Sequence, residues 1–526
     1  MNTKLLKLTL LIFLAFPLLG RAQYPSGIIT GKFSPSGKLL WERNITQGGI
    51  AYGNCIDNEA NIYIVGDNRG GFQLDDYLIY DGKFVAKYDS TGELKWVKGI
   101  YGYSTNIRGV AADSNGNCYV LGWVHGYIIA DTFMLEGAKQ YLYIIKYNKT
   151  GDVQWINTIL GRDYYIRAGG ISINEKNNRI YVTAIEDKEF RVIYSDSAKH
   201  ILASYDLQNC KPIKEIAIIN HVGYPFGALN TVRGITNHEA SVYVTGTIKN
   251  KKGNDNIYIA KLDTGLNVVW EKQTESSFVR NIGYDIMLDN DKNIYVTGIY
   301  SDTVWFDNDI LIADQYAHDL FVAKLNGDGD FIWVKRAGAS DKYEFGYSIC
   351  SDFNNNIYIS GFMGERVEFS PTIKTEEEGS FFAKLNEDGD VLFERSYYTG
   401  YEHDGEFSAC YVDCDDSGNL CFTASHLNSL SLGTRLLKQG LNLLVNVYPN
   451  PCRGTLNTRY ISGVAGEIGL QVYNYLGQEV FAAKRNTTPG NNNYKLDLSA
   501  LQPGMYFLSI SKGQKTVATN KFIIEQ

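Results

Sequence analysis

An all-β chain is what this sequence predicts, on three observations. A tight turn followed by a short strand recurs seven times, and a strand–turn–strand segment also recurs seven times. The last residues, from about 445 on, alternate strands with Gly, Pro and Asn turns. Composition agrees: among 526 residues, 38 Tyr and 52 Gly favour strands and tight turns over helices. The length exceeds what one ordinary core accommodates, so more than one folded unit is expected.

In chain order, residues 1–22 read as a signal peptide. Lys4 and Lys7 precede the apolar run LTLLIFLAFPLLG, and Gly20-Arg21-Ala22 supplies small residues at the outer cleavage positions. No later stretch is long and apolar enough for a transmembrane helix. Removing Lys4, Lys7 and Arg21 lowers the basic count from 50 to 47 against 58 acids, a mature net charge of −11. That balance argues against a nucleic-acid partner, whose phosphates require a basic footprint.

Residues 23–431 carry the repeats. The first half-repeat reads DNEANIYIVG, DSNGNCYVLG, NEKNNRIYVTA, NHEASVYVTG, DNDKNIYVTG, DFNNNIYISG and DDSGNLCFTA, ending at Gly66, Gly122, Ala184, Gly246, Gly298, Gly361 and Ala424. The second runs from GKFSPSGKLLW to AKLNEDGDVLF, with Trp41, Trp96, Trp155, Trp270 and Trp333 closing five of its seven copies and Ile213 and Phe393 the other two. One full repeat therefore holds four short strands, the makeup of a propeller blade. Because the chain opens on a second half and its last first half lacks a clear successor, the N-terminal strands are expected to complete the seventh blade and remove two exposed edges. Residues 432–444 are a linker or a residual blade strand.

FVAKLNGDGDFIWVK (321–335) imitates a metal loop, with Asn326, Asp328 and Asp330 closely spaced. A helical calcium loop needs Gly at its sixth position and Glu at its twelfth; counting from Asn326 gives Phe331 and Ala337. STG and KTG fill the same slot in other copies, so NGDGD is expected to be a turn, and no metal site is assigned.

The half-repeats resemble the bacterial seven-bladed propeller repeat family labelled SBBP. The matching pattern is D-x-x-x-N-I-Y-V-T-G followed by F-V-A-K-L-x-x-D-G-x-x-x-W, clearest over residues 289–333. Blade three departs most, with Ser204 in place of Lys and no Trp. The resemblance implies a seven-bladed β-propeller and carries little about activity.

The eight cysteines follow the repeat register rather than a disulfide framework. Cys118 and Cys421 fall in strand columns, and Cys55 and Cys350 share a column with Ile173, Ile235 and Met287, so these thiols are expected to be small core side chains. Cys210, Cys410, Cys414 and Cys452 fit no column, and a pair between Cys410 and Cys414 is conceivable.

Residues 445–526 form the second unit, a small β-sandwich. This segment resembles the type A C-terminal sorting domain of the type IX secretion system. The resemblance is carried by Tyr448-Pro449-Asn450-Pro451 with Gly454, Val472-Tyr473-Asn474 with Leu476-Gly477-Gln478, Leu496-Asp497-Leu498-Ser499, Gly504, Tyr506 and Lys521-Phe522-Ile523-Ile524. It implies passage through the periplasm, export by the type IX machinery as partner, removal of the domain, and attachment to the cell surface or release.

No catalytic constellation is legible. His125, His200, His221, His238, His318, His403 and His426 are scattered, with no HExxH spacing, G-x-S-x-G elbow or phosphate-cradling Gly loop; no catalytic residue and no cofactor is assigned. Turns within the half-repeats are short, whereas the connections between halves and blades are long and emerge on the opposite face. From the small-residue column to the Lys column the separations are 21, 24, 20, 15, 26 and 23 residues. Blade connections place Tyr101, Tyr103, Tyr164, Tyr165, Tyr224, Phe226, Tyr343, Phe345, Tyr397, Tyr398 and Tyr401 on that face, while Tyr52, Tyr284 and Tyr347 share a column expected to pack between blades. A rigid scaffold with one elaborated face suits a binding module. An extracellular glycan is the preferred ligand class, because ring stacks suit sugar faces, with a protein ligand as the other. The alternatives are a propeller-fold polysaccharide lyase or glycoside hydrolase, and a structural surface-layer component.

Overall fold

The computed structural model describes residues 27–46, 49–68, 72–74, 77–79, 82–102, 104–162, 165–187, 199–220, 234–278, 280–313, 318–338, 343–363, 368–370, 373–374, 379–397, 410–426, 445–448, 452–462, 466–474, 478–488, 490–512 and 515–525. The expected signal peptide and the 432–444 segment lie outside them. Within them the chain is all-β, and no helix is long and apolar enough to cross a membrane.

Ahead of the tail the described strands group into antiparallel four-strand units of the kind that make a β-propeller, the first two joined in one sheet where Gly102 lies opposite Ile128. Blade one is Ile50–Ile56, Ile62–Asn68, Gly82–Tyr88 and Leu94–Gly102. Blade two is Thr105–Ala112, Cys118–Ala130, Phe133–Tyr147 and Val153–Arg162. Blade three follows as Tyr165–Asn174, Arg179–Asp187, Lys199–Asp206 and Pro212–Asn220, and blade four as Ile235–His238, Ser241–Lys249, Asp255–Asp263 and Val268–Gln273. Blade five holds Ile282–Leu288, Ile294–Tyr300, Asp319–Leu325 and Phe331–Ala337; blade six holds Phe345–Ser351, Ile357–Met363, Gly379–Leu385 and Val391–Tyr397. The last unit joins distant segments: Cys410–Cys414 and Leu420–His426 pair with Gly27–Phe33 and Leu39–Thr46, Ile29 lying opposite Ala424. Each first strand packs against the first strand of the next blade, and the cycle returns from Cys410–Cys414 to Ile50–Ile56.

The repeated residues explain why each unit is a blade and why neighbours adhere. In blade one, Asp57 Oδ1 accepts the amides of Glu59 and Asn61 at 3.0 and 2.9 Å, closing the turn between the first two strands. Its Oδ2 accepts the Tyr63 hydroxyl at 3.0 Å, and Lys87 Nζ lies 4.8 Å from the Tyr63 ring centre. The Trp column then reaches forward. Trp96 Nε1 donates to Lys149 O of the next blade at 3.1 Å, as Trp270 does to Gly327 O at 3.2 Å and Trp333 to Glu387 O at 3.0 Å. Trp96 is buried and Trp270 and Trp333 partly so, and a ring packed in its own blade that spends its one polar atom on the next is both core and clamp.

NGDGD belongs to this clamp. Asn326 Oδ1 accepts the amides of Asp328 and Asp330 at 3.0 and 2.9 Å, and Gly329 N donates to Asn326 O at 3.1 Å. Gly329 has φ +89°, a conformation that glycine adopts without cost, and a Cβ there would sit 3.1 Å from the Trp270 ring.

The first strands carry bulges that the repeat columns concealed. Tyr52, Arg108, Tyr284 and Tyr347 are each the extra residue opposite a continuous second strand, and Gly169-Gly170 takes that place in blade three. All four side chains are buried, with Arg108 5.2 Å over the Tyr52 ring and Tyr284 5.6 Å from Tyr347. Polar latches run beside them between blades. Asp285 Oδ2 accepts Ile349 N at 3.0 Å, Asp413 Oδ2 accepts Ile56 N at 2.8 Å, and Asn237 Nδ2 donates to Ile173 O at 2.9 Å.

Two cysteine expectations need correction. Cys55, Met287 and Cys350 do share a register, each opposite a Tyr, but Ile173 faces Ile180 and Ile235 faces Val244; Ser172 and Thr236 hold the column instead. Blade three spends an extra residue in its first turn and blade four shortens its own, which shifts the strands. Cys410 and Cys414 sit four residues apart on one strand, about 13 Å at strand rise, so they do not pair. Cys118 and Cys421 are fully buried in core clusters.

The tail has its own core. Val445–Tyr448, Thr455–Ser462 and Gly490–Asp497 form one sheet; Glu479–Thr487, Gly466–Asn474, Gly504–Lys512 and Lys515–Ile524 form the other. Leu456, Leu470, Leu496, Leu508 and Phe522 meet in one buried cluster, the filling of a sandwich.

Candidate functional site

The long connections leave the strand ends away from the Asp turns, and the structure shows most there at blades five and six. The longest separation, 26 residues between Gly298 and Lys324, lies in blade five. Part of that connection folds as a hairpin, Thr303–Phe306 with Asp309–Ile312, which also pairs with Glu275–Ser276. Beyond it His318 bridges to Tyr343 in the next blade connection, and Glu344 N donates to His318 O at 2.6 Å. Two connections from neighbouring blades are thereby tied together.

His318 is the centre of the cluster. It is 4% exposed, and its Nδ1 lies 2.5 Å from Ser301 Oγ while Nε2 lies 3.3 Å from Arg280 Nη1. A guanidinium only donates, so Nε2 accepts and a neutral ring carries its proton on Nδ1, toward Ser301. Ser301 N donates to Asn281 Oδ1 at 3.0 Å, and Arg280 N donates to Asp255 Oδ2 at 2.7 Å. Next to it, Asp319 accepts the Tyr300 hydroxyl at 3.2 Å and lies 3.6 Å from Arg336 Nη1. Burial, then the Asp319 charge, raises the Tyr300 phenol well above its ordinary range.

Rings cover this polar floor. Tyr343 and Phe345 are half-buried, their ring centres 5.1 and 6.0 Å from His318. Phe345 stacks on Tyr347 at 5.4 Å and 6°, and Tyr347 continues to Tyr284. The aromatic row thus runs from the bulge residues between blades to the connection face. Ser301 is fully enclosed and His318 nearly so, and the pair lies beneath the rings of Tyr343 and Phe345.

Of the other aromatic residues expected on this face, Tyr101 is half-buried on the outermost strand of blade one, paired with Ile129 and lying over Gly99 and Gly82. Tyr165 is half-buried at the start of blade three's first strand, with Arg167 5.6 Å from its ring. Tyr397 is described only as a strand position opposite Ser380. Tyr103, Tyr164, Tyr224, Phe226, Tyr398 and Tyr401 lie outside the described residues. Sequence reading singled out Tyr343 and Phe345 but passed over Arg280, Ser301, His318 and Asp319. Arg280, Ser301 and the adjacent pair His318-Asp319 come from three separate places in the chain, and their one signal was the long blade-five connection.

In the tail, Gly454 has φ +73°, and a Cβ there would press within 3.0 Å of Ser499 Cα; its carbonyl accepts Leu498 N at 2.7 Å. Tyr506 donates its hydroxyl to Gln502 O at 2.7 Å and stacks on Phe522 at 5.8 Å. Gly504 opens the strand that carries Tyr506, and Lys521 is a strand position opposite Phe507. Pro449, Asn450, Pro451 and Gly477 lie outside the described residues.

Residues 446–525 match the family described as "Secretion system C-terminal sorting domain". A tail of this kind marks proteins exported by the type IX system to the cell surface or beyond it, so the secretion machinery is a partner of this chain. No curated protein matches the sequence. Among solved structures, BamB from Moraxella catarrhalis is similar at 13% identity and TM-score 0.33, covering 76% of this chain and 92% of that one. The β-propeller domain of the Trilobed protease from Pyrococcus furiosus matches at 10% identity and TM-score 0.33, over 67% and 99% of the two chains. A PL25 ulvan lyase matches at 7% identity and TM-score 0.39, over 69% and 87%. Scores this low carry no argument, and the fold assignment rests on the strand pairing itself.

Proposed function

We propose that the chain is an exported seven-bladed propeller of the SBBP type, spanning residues 23–431, that binds an extracellular glycan on its connection face. In this reading residues 1–22 are the signal peptide, 432–444 a linker and 445–526 the removable sorting sandwich. The observation that carries the binding role is the pair Tyr343 and Phe345, half-buried above the locked His318 cluster. Rings already held in one orientation lose little freedom on meeting a flat apolar sugar face. The enclosed Ser301 supports binding over hydrolysis.

A glycan array probed with the mature chain, with release of reducing ends measured in parallel, tests the reading. The expected result is retention of a glycan without cleavage. Replacing Tyr343 and Phe345 together by Ala should weaken retention by about 1 to 3 kcal/mol, the scale of a ring stack lost. Unchanged retention with the fold intact would move the site elsewhere, toward Tyr164 and Tyr165 or the other rings of this face.

A further inference from the structure

Two sulfurs from different blades meet on the inner wall of the ring. Cys350 is in Phe345–Ser351, the first strand of blade six, and Cys414 ends Cys410–Cys414, the first strand of the last blade. The two strands lie side by side, and hydrogen bonds fix their spacing: Ser348 Oγ donates to Val412 O at 3.3 Å and Ser360 Oγ to Cys410 O at 2.9 Å. The sulfurs are 2.7 Å apart, closer than unbonded sulfurs pack and a small side-chain rotation from the about 2.05 Å of a covalent bridge. The sorting tail marks this chain for export, and outside the reducing cytoplasm such a bridge persists.

We propose that Cys350 and Cys414 form a disulfide that pins the closing blade to its neighbour. The last blade needs the pin most. It joins strands from both ends of the repeat region, and the sorting tail follows Leu420–His426 in the chain, so any pull on the tail reaches these strands first.

Before the last blade packs either thiol can open the exchange, and the balance is the same with Cys414 first. The Cys414 thiolate attacks the disulfide of a periplasmic thiol–disulfide oxidant, forming a mixed disulfide and releasing one oxidant thiolate. The Cys350 thiolate then attacks Cys414 Sγ, closing the bridge and releasing the second. Two electrons and two protons pass to the oxidant, which leaves as a dithiol. Burial raises both thiols above their ordinary range, so the exchange belongs to the stage before the last blade packs, and burial afterwards shields the bond.

The test uses the full-length chain taken from the periplasm with its sorting sandwich, and so Cys452, still attached, unfolded in denaturant with N-ethylmaleimide and without reductant. Six of the eight cysteines should be alkylated, and digestion should release the Cys350 and Cys414 peptides joined. Reductant should lower the thermal midpoint by several degrees in this protein and leave a Cys350→Ser, Cys414→Ser double variant unmoved. Eight alkylated thiols, or a bridge mapped to another pair, would overturn the proposal without any variant having to fold. A bridged protein whose midpoint ignores reductant would overturn the pinning role.

Discussion

His200 occupies a position in blade three where the same column holds Leu142, Ile257, Leu320 and Ile28 in four other blades and Lys83 and Ser380 in the remaining two. It is fully buried, and neither ring nitrogen has a hydrogen-bond partner among the described residues. Burial pushes its pKa from 6.5 down to about 3. The sign follows directly: below pH 6.5 the unfolded chain takes up a proton that the folded chain refuses, so stability is lost as pH falls toward 3. Each pH unit in that window costs about 1.4 kcal/mol. His200→Leu should therefore raise stability at pH 7 by about 1 to 3 kcal/mol, the cost of an unpaired buried polar group. Its advantage over the parent should grow as pH drops from 6.5 to 4. Denaturant unfolding at several pH values checks this, and a pH-independent difference would contradict the neutral, enclosed ring. His200 and His318 are equally isolated residues in the sequence. Only the fold gives one an Arg and a Ser and leaves the ring nitrogens of the other without a partner among the described residues, because strand pairing and the blade connections decide what each ring meets.

At the scale of the element, the turn between the third and fourth strands was the most legible feature. STG, KTG and NGDGD share a slot, and the hydrogen bonds of Asn326 and the positive φ of Gly329 give the physical reason. Gly329→Ala should cost about 1 to 2 kcal/mol, since an L residue in that region is strained and its methyl meets Trp270. Asn326→Ala should cost about 1 kcal/mol by orphaning two amides. Chelator should leave the thermal midpoint unchanged, because Asn326 Oδ1 is already spent on the turn; a large drop would reinstate a calcium site. The bulges were not legible. Tyr52, Tyr284 and Tyr347 fell into one column, but an extra residue opposite a continuous strand leaves no mark on strand spacing. For the same reason the altered first turns of blades three and four put Ile173 and Ile235 in the wrong register.

For the whole molecule, the described core clusters divide cleanly. One is built from residues between Cys452 and Ile524, and every other lies between Ile28 and Ala424. The same break was visible in the sequence, where the four-strand period stops before Val445, because a repeat buries its apolar face only against the next repeat. Address and body thus rest on separate packing. No described cluster mixes residues of 445–526 with those of the propeller, so the shortened chain should keep the parent's propeller unfolding transition. It should also lose its destination and accumulate in the periplasm, which cell fractionation and surface proteolysis would show. Tyr506→Ala should give a milder version of the same defect, because it removes the 2.7 Å bond to Gln502 O and the stack on Phe522 without touching the propeller. A truncated chain that reaches the surface in normal amounts would show that the propeller carries its own address. One that fails to fold would show that the two cores depend on each other in a way the clusters do not display.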